Sequence, residues 1–201
     1  RIDEGIPMTI STIKRLSLQI LSITLLSGLL PLGATAQTRI IFDTDMGNDV
    51  DDALALAMVH AFTSRGEAQL LAVTTTKDNR WVAPYIDIVD TFYGRPDIPI
   101  GVVKNGKTPK DSPMISIPAQ RRRPNGTPVY PHRLLDGRNA PEAVAVLRRI
   151  LSQQPDDSVT IVQIGFSTNL ARLVQTDREL IARKVHLLSM MAGDFSGGGP
   201  E

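Results

Sequence analysis

Five carboxylates fall within ten residues, Asp43-Thr44-Asp45-Met46-Gly47-Asn48-Asp49-Val50-Asp51-Asp52, between an apolar run ending at Phe42 and an apolar segment opening at Ala53. Carboxylates packed this closely repel one another, which raises their pKa values and costs stability unless a cation neutralises them. An all-oxygen donor set selects a hard cation, Ca2+ or Mg2+. Capping a helix with Asp51 or Asp52 accounts for one or two of the five, because acidic side chains suit the positive end of a helix. The others point to a cation and ligand site. An EF-hand is excluded by spacing, since counting from Asp43 puts Gly47 fifth instead of sixth and Leu54 where the bidentate Glu belongs. Gly47 lets the backbone turn with its amides close to whatever is bound.

The rest of the chain must position this segment. Its 201 residues, 42% hydrophobic and 21% charged, are the composition of a globular domain, not of a disordered or fibrous chain. Twenty-two basic residues against 21 acidic ones leave no field that would gather nucleic acid or an anionic membrane, so the partner is a small molecule. Without cysteine there is no disulfide framework, no thiolate chemistry and no Cys-ligated zinc.

Residues 1–36 read as upstream residues and an export signal. Lys14 and Arg15 precede the mostly apolar Leu16 to Leu32, and Ala34-Thr35-Ala36 has the small-x-small form of a cleavage site. The strictly apolar part is too short for a membrane span and contains Pro31. The expected location is therefore periplasmic or secreted, with no membrane attachment after cleavage; Arg1 to Pro7 would precede the true start. Gly197-Gly198-Gly199-Pro200-Glu201 reads as the middle of a loop, so the chain is expected to lack the C-terminal part of its domain.

From Arg39 onward, β-like runs alternate with helical ones. Strands are expected at Arg39–Phe42, Gln69–Thr76, Ile98–Val103, Val159–Ile164 and Val185–Met190. Helices are expected at Ala53–Ser64, with Leu54, Met58, Ala61 and Phe62 as its apolar positions, and at Trp81–Tyr93, with Ile86, Val89 and Phe92 inside. Two more are expected at Pro141–Gln153 and around Leu170–Val174, while the proline-rich Lys104–Asn139 reads as a long loop. This alternation specifies an α/β fold, a doubly wound and mostly parallel sheet flanked by helices. Ligands of such sheets sit outside the carboxyl ends of the strands, where the acidic segment falls.

The acidic segment, Asp43-Thr44-Asp45-Met46-Gly47 with Asp51-Asp52-Ala53-Leu54-Ala55-Leu56, resembles the N-terminal signature of the inosine-uridine preferring nucleoside hydrolases. Three further stretches fall in that family's order: Thr74 to Asn79, Gly165-Phe166-Ser167-Thr168-Asn169-Leu170-Ala171, and Leu188 to Gly193. Val50 belongs to a two-residue expansion relative to the family, and Phe166-Ser167 replaces Pro-Leu. The resemblance implies that residues 37–201 are the N-terminal part of a single domain that hydrolyses ribonucleosides to ribose and free base. It implies Ca2+ held by Asp45, Asp52 and the Thr168 carbonyl, with Asp45 also the general base. Ribose would be gripped by Asp51 or Asp49, by Asn79 and by Glu201, with Asp43 orienting the loop. The family's remaining Ca2+ ligand, an Asp after a His, has no counterpart between Thr168 and Glu201, since Leu187 follows His186. These residues alone are thus expected to bind Ca2+ weakly, to expose apolar sheet surface and to be inactive. Association into a homo-oligomer is left open.

Other polar residues take quieter readings. His132, in a loop, is a bystander unless it faces the nucleobase; His60 and His186 read as structural. Trp81 reads as core, with stacking on a base as the alternative. The Arg121-Arg122-Arg123 triplet reads as a solvated loop, and Asn125-Gly126-Thr127 matches a glycosylation acceptor. Two other functions are compatible with the acidic motif. One is a Mg2+-dependent haloacid-dehalogenase-like phosphatase with Asp43 as nucleophile, which Gly47 and the lack of a second Asp after Gly193-Asp194 disfavour. The other is a non-catalytic Ca2+-binding module.

Overall fold

The computed structural model describes residues 37–193. The export-signal segment, Gly197 to Glu201 and the role assigned to Glu201 lie outside the described residues. In chain order the elements are β1 (Thr38–Thr44), α1 (Asp51–Ser64), β2 (Ala68–Lys77), α2 (Val82–Phe92), β3 (Ile100–Lys107), α3 (Pro113–Gln120), a single 3-10 turn at Gly137–Asn139, α4 (Ala143–Ser152), β4 (Val159–Gln163), α5 (Thr168–Lys184) and β5 (Val185–Met190). The five strands form one sheet in the order β3-β2-β1-β4-β5, with every pairing parallel. No helix among the described residues is long and apolar enough to cross a membrane.

Side chains of a strand alternate between faces, and β1 shows both layers of the core. Ile40 and Phe42 pack with Leu56, Val59, Ile86 and Ile115 from α1, α2 and α3. Ile41 packs on the opposite side with Leu147, Leu151, Leu170 and Leu173 from α4 and α5. The sheet is therefore doubly wound, as the β/α alternation requires, and β1 is its most enclosed strand. At one edge, β5 leaves Leu187, Leu188 and Met190 exposed.

Three local expectations are corrected. The Lys104–Asn139 stretch is not one loop: β3 continues to Lys107, and α3 opens with Pro113 in its first turn, where a missing N–H costs nothing, and tolerates Pro118 because the helix is only eight residues long. The helix expected around Leu170–Val174 extends to Lys184 through a kink at Asp177. On α1 the inward face is not Leu54 and Met58, which are both more than half exposed, but Leu56, Val59 and His60; Phe92 of α2 is likewise outward. His60 is structural, as its sequence setting suggests: its Nε2 lies 2.7 Å from Asp90 Oδ1, and Tyr93 stacks on its ring.

Leu147 lies wholly inside the second core layer. Leu147→Ala should cost about 2–5 kcal/mol in chemical denaturation, the usual price of a fully buried leucine truncation. Leu54→Ala, on the exposed face of α1 across the sheet, should change stability by less than about 0.5 kcal/mol.

Candidate active site

After β1 the chain builds β2 and β3 on one side and later returns to add β4 and β5 on the other. The carboxyl ends of β1 and β4 therefore face the point where the winding reverses, the place where such sheets take ligands. Asp43 and Thr44 end β1, and Asp45 is the first residue beyond it. The Ile164 amide donates to the Asp43 carbonyl at 2.8 Å, carrying the pairing of β4 with β1 one residue past β4. Gly165 then passes so close that a Cβ there would lie 2.6 Å from the Asp45 amide nitrogen. Gly47 turns the acidic loop at φ +104°, a conformation other residues rarely adopt.

The five carboxylates meet this crowding in different ways. Asp43 is wholly buried; its Oδ1 accepts from the Thr74 hydroxyl at 2.6 Å and from the Asn169 amide at 2.8 Å, so it ties β1 to β2 and α5. Burial pushes its pKa up to about 7 against the pull of those two donors. Asp52, in the first turn of α1, is also buried and accepts from the Thr44 hydroxyl through Oδ1; burial raises it to about 7. The Oδ2 atoms of both residues are buried with no hydrogen-bond partner among the described residues. Asp49 and Asp51 are exposed; the neighbouring Asp51 carboxylate lifts Asp49 to about 6, while Asp51 is lowered by its contact with Asp49. Asp45 is half-buried, raised by desolvation, and its Oδ2 accepts from the Asn48 amide.

One oxygen from each of Asp49, Asp51 and Asp52 lies within 4.8 Å of the others. A convergent all-oxygen set, with a buried carboxylate oxygen left unpaired on Asp52, is what a hard divalent cation requires. The structure thus groups Asp52 with both candidate ribose contacts, and Asp45 stands beside them, its charge acting on Asp49 and Asp52. Thr168 opens α5, half-buried, next to the Asn169 that holds Asp43. Asn79 follows β2 at the same end of the sheet, but both its polar atoms are engaged: Oδ1 accepts from the Trp81 amide at 2.8 Å, and Nδ2 donates to the Pro109 carbonyl at 3.0 Å.

The remaining candidates keep their quieter readings. Trp81 packs against the first core layer beneath the Arg80 guanidinium. His132 donates from Nδ1 to the Tyr130 carbonyl and lines a cavity of about 470 Å³ with Arg123 and Pro96. A cavity of about 620 Å³, walled by Ala57, Tyr85, Phe92 and Tyr130, has no carboxylate in its lining. Sequence reasoning assigned no role to Thr44, Thr74, Asn169, Asn48 or Lys77. The one available signal was Lys77, a charged residue closing an otherwise apolar and Thr-rich strand.

The profile of the family described as inosine-uridine preferring nucleoside hydrolase matches residues 40–200, and the chain belongs to that family. Its members bind a metal ion, and the acidic cluster at the switch point supplies a matching donor set. Among solved structures, the chain is similar to the inosine-uridine preferring nucleoside hydrolase from Bacillus anthracis (TM-score 0.56, 19% identity, covering 79% of this chain and 51% of that one). It is also similar to a plant nucleoside hydrolase (0.52, 24%, 79% and 49%). A third is the type III effector protein XopQ complexed with adenosine diphosphate ribose (0.58, 18%, 80% and 47%). These likenesses show a common fold. The chain spans about half the length of these solved structures. No curated protein matches it.

The sign of the pH dependence follows from Asp43 and Asp52. Each holds its proton to about pH 7 in the fold but only to about pH 4 when unfolded. Folding therefore retains protons across that window, and stability falls as pH rises through it. In chelator, the melting temperature should be lower at pH 8 than at pH 5. Asp43→Asn, which keeps an acceptor for Thr74 and Asn169 without a charge, should raise the melting temperature at pH 8 and leave it nearly unchanged at pH 5. A metal-free protein that is more stable at pH 8 would contradict this assignment.

Proposed function

We propose that the site built on β1 and α1 hydrolyses the N-glycosidic bond of ribonucleosides to give ribose and free base. The observation that carries this reading is the convergence of Asp49, Asp51 and Asp52 beside Asp45 at the switch point of the sheet. Glycosidic cleavage passes through an oxocarbenium-like transition state, which demands a positioned water on the face opposite the leaving base and a firm hold on the sugar hydroxyls. Asp45, half-buried with one oxygen hydrogen-bonded, is the general base that takes the proton as the water oxygen bonds to C1′, while the C1′–N bond breaks with its electron pair leaving on the nucleobase, which takes a proton from solvent. Asp51 and Asp49, exposed on the loop and the first turn of α1, bind ribose hydroxyls, with Asn79 across the mouth once its contact to Pro109 is released and Glu201 completing the grip.

As the family resemblance implies, Asp45, Asp52 and the Thr168 carbonyl would hold a Ca2+ ion, with Asp52 the one residue that this set shares with the oxygens converging in the structure, those of Asp49, Asp51 and Asp52. When bound, the ion supplies Lewis-acid charge and offsets the repulsion among the carboxylates. Asp43 stays behind the site: with no exposed surface, it holds β1, β2 and α5 together and is badly placed for the nucleophile role that the phosphatase alternative requires. The export reading of residues 1–36 places this activity outside the cytoplasm.

Release of reducing sugar from a panel of purine and pyrimidine ribonucleosides by an intact, full-length form of the protein, beside p-nitrophenyl phosphate as a control, tests the proposal. Asp45→Asn should lower turnover by about 10² or more, the scale of general-base loss, and Asp43→Asn should cost less. Hydrolysis of the phosphate ester with none of any nucleoside, or an Asp43 variant more damaging than the Asp45 one, would refute it.

A further inference from the structure

Beneath the acidic loop lies a cation that the chemistry above does not use. Lys77 ends β2 just after the register with β3 slips between Thr75 and Lys77. Such irregularities beside a site re-aim a side chain. Here the lysine is 2% exposed, and its Nζ donates to Asn48 Oδ1 at 2.7 Å. Asn48 Nδ2 in turn donates to Asp45 Oδ2. Burial lowers the Lys77 pKa from its usual value, and the charges of Asp45, Asp111 and Asp52 offset part of that cost.

The chemistry of the three groups fixes the direction of this chain. An ammonium carries three donors and no acceptor, so only the amide oxygen of Asn48 can face it. The amide nitrogen is then left to face Asp45, and flipping the amide would set donor against donor at one end and acceptor against carboxylate at the other. Asn48 is itself exposed, in a loop that turns at Gly47. Without a fixed partner, an exposed asparagine side chain samples several rotamers.

We propose that Lys77 is a positioning residue that acts through Asn48: it holds Asp45 Oδ2 in a hydrogen bond and thereby presents the other oxygen, Oδ1, to the reacting water. The catalytic half of this statement rests on the hydrolase reading above; the relay itself does not. Nothing in the family resemblance assigns a role to Lys77 or to Asn48, which lies in the loop that the two-residue expansion enlarges.

Two readouts test it, the first on this chain and the second on an intact, full-length form of the protein. The first is the exchange with water of the Asn48 side-chain amide protons, followed by NMR in metal-free protein. Lys77→Met keeps the stem and removes the donor, and should accelerate that exchange by about tenfold, because opening of the amide no longer breaks a charged hydrogen bond. The second is a kinetic cycle with inosine and uridine. Asn48→Ala, at an exposed position that the fold tolerates, and Lys77→Met should each lower kcat by about tenfold, a scale expected when a reacting group loses its orientation, with KM changed less than twofold. The double variant should be no worse than the poorer single one. Multiplying losses would mean that Lys77 acts on the site directly as a charge, and unchanged amide exchange in Lys77→Met would mean that it does not hold Asn48; either result overturns the proposal. Absence of nucleoside turnover in the unaltered protein would instead refute the hydrolase reading, and the exchange measurement would still decide the relay.

Discussion

Burial of carboxylates at the carboxyl end of an enclosed strand, to which their mutual repulsion adds, is the constraint around which this molecule is arranged. Asp43 has no contact with solvent, and its charge is opposed only by the Thr74 hydroxyl and the Asn169 amide. Those two donors come from β2 and from α5, so the carboxylate that is hardest to bury is also the one that joins three elements at the switch point. The close passage of Gly165 across the Asp45 amide and the turn at Gly47 serve the same crowding, since a side chain at either place would displace the loop that carries the other carboxylates. Enclosure of β1 by helices on both faces keeps this junction from relaxing, because packed interiors do not deform continuously.

Three substitutes for a metal ion are visible in how the charges are managed. Asp43 and Asp52 hold protons up to about pH 7, Asp49 is raised to about 6 by Asp51 beside it, and Asp45 leans on an amide oriented by an ammonium. The first two devices vanish as protons leave, whereas the third does not. A divalent cation entering the cluster must displace the protons of these raised carboxylates, so its binding is coupled to proton release and strengthens with rising pH.

Much of this was legible in the sequence, for reasons that can be stated by residue. The strands announced themselves because each is a short apolar run bounded by turn residues, and the acidic loop because no structural role accounts for five carboxylates in ten positions. Periodicity failed where it carried no information. From Ala53 to Phe62, α1 is apolar nearly all round, so nothing in the pattern chose Leu56 and Val59 over Leu54 and Met58 as the inward face. Prolines hid α3, although Pro113 sits where a helix accepts one, and the kink at Asp177 broke the pattern of α5 after Val174. The site was readable as a set of carboxylates but not as a network: the contacts to Thr74, Asn169 and Lys77 span tens of residues and depend on which strands become neighbours.

A buried carboxylate elsewhere in the same fold shows what a purely structural one looks like. Asp87 in α2 is about as enclosed as Asp52, yet both of its oxygens have donors: Oδ1 accepts from Thr91, and Oδ2 from the amides of Arg133 and Leu134 at 2.6 and 2.7 Å. It pins the loop after Pro131 to the helix and has no capacity left. Asp90, one turn further on, also leaves its Oδ2 unpaired, but its Oδ1 faces the His60 imidazole, a group that can carry the compensating charge. Asp52 has a single neutral hydroxyl on one oxygen and nothing on the other, with two more carboxylates a few ångströms away. Folding alone would select against that arrangement, because an unpaired buried oxygen costs stability and the neighbouring charges add to it. The difference in donors between Asp87 and Asp52, at equal burial, marks the mouth of β1 as the place where the chain gives up stability to leave room for something it binds.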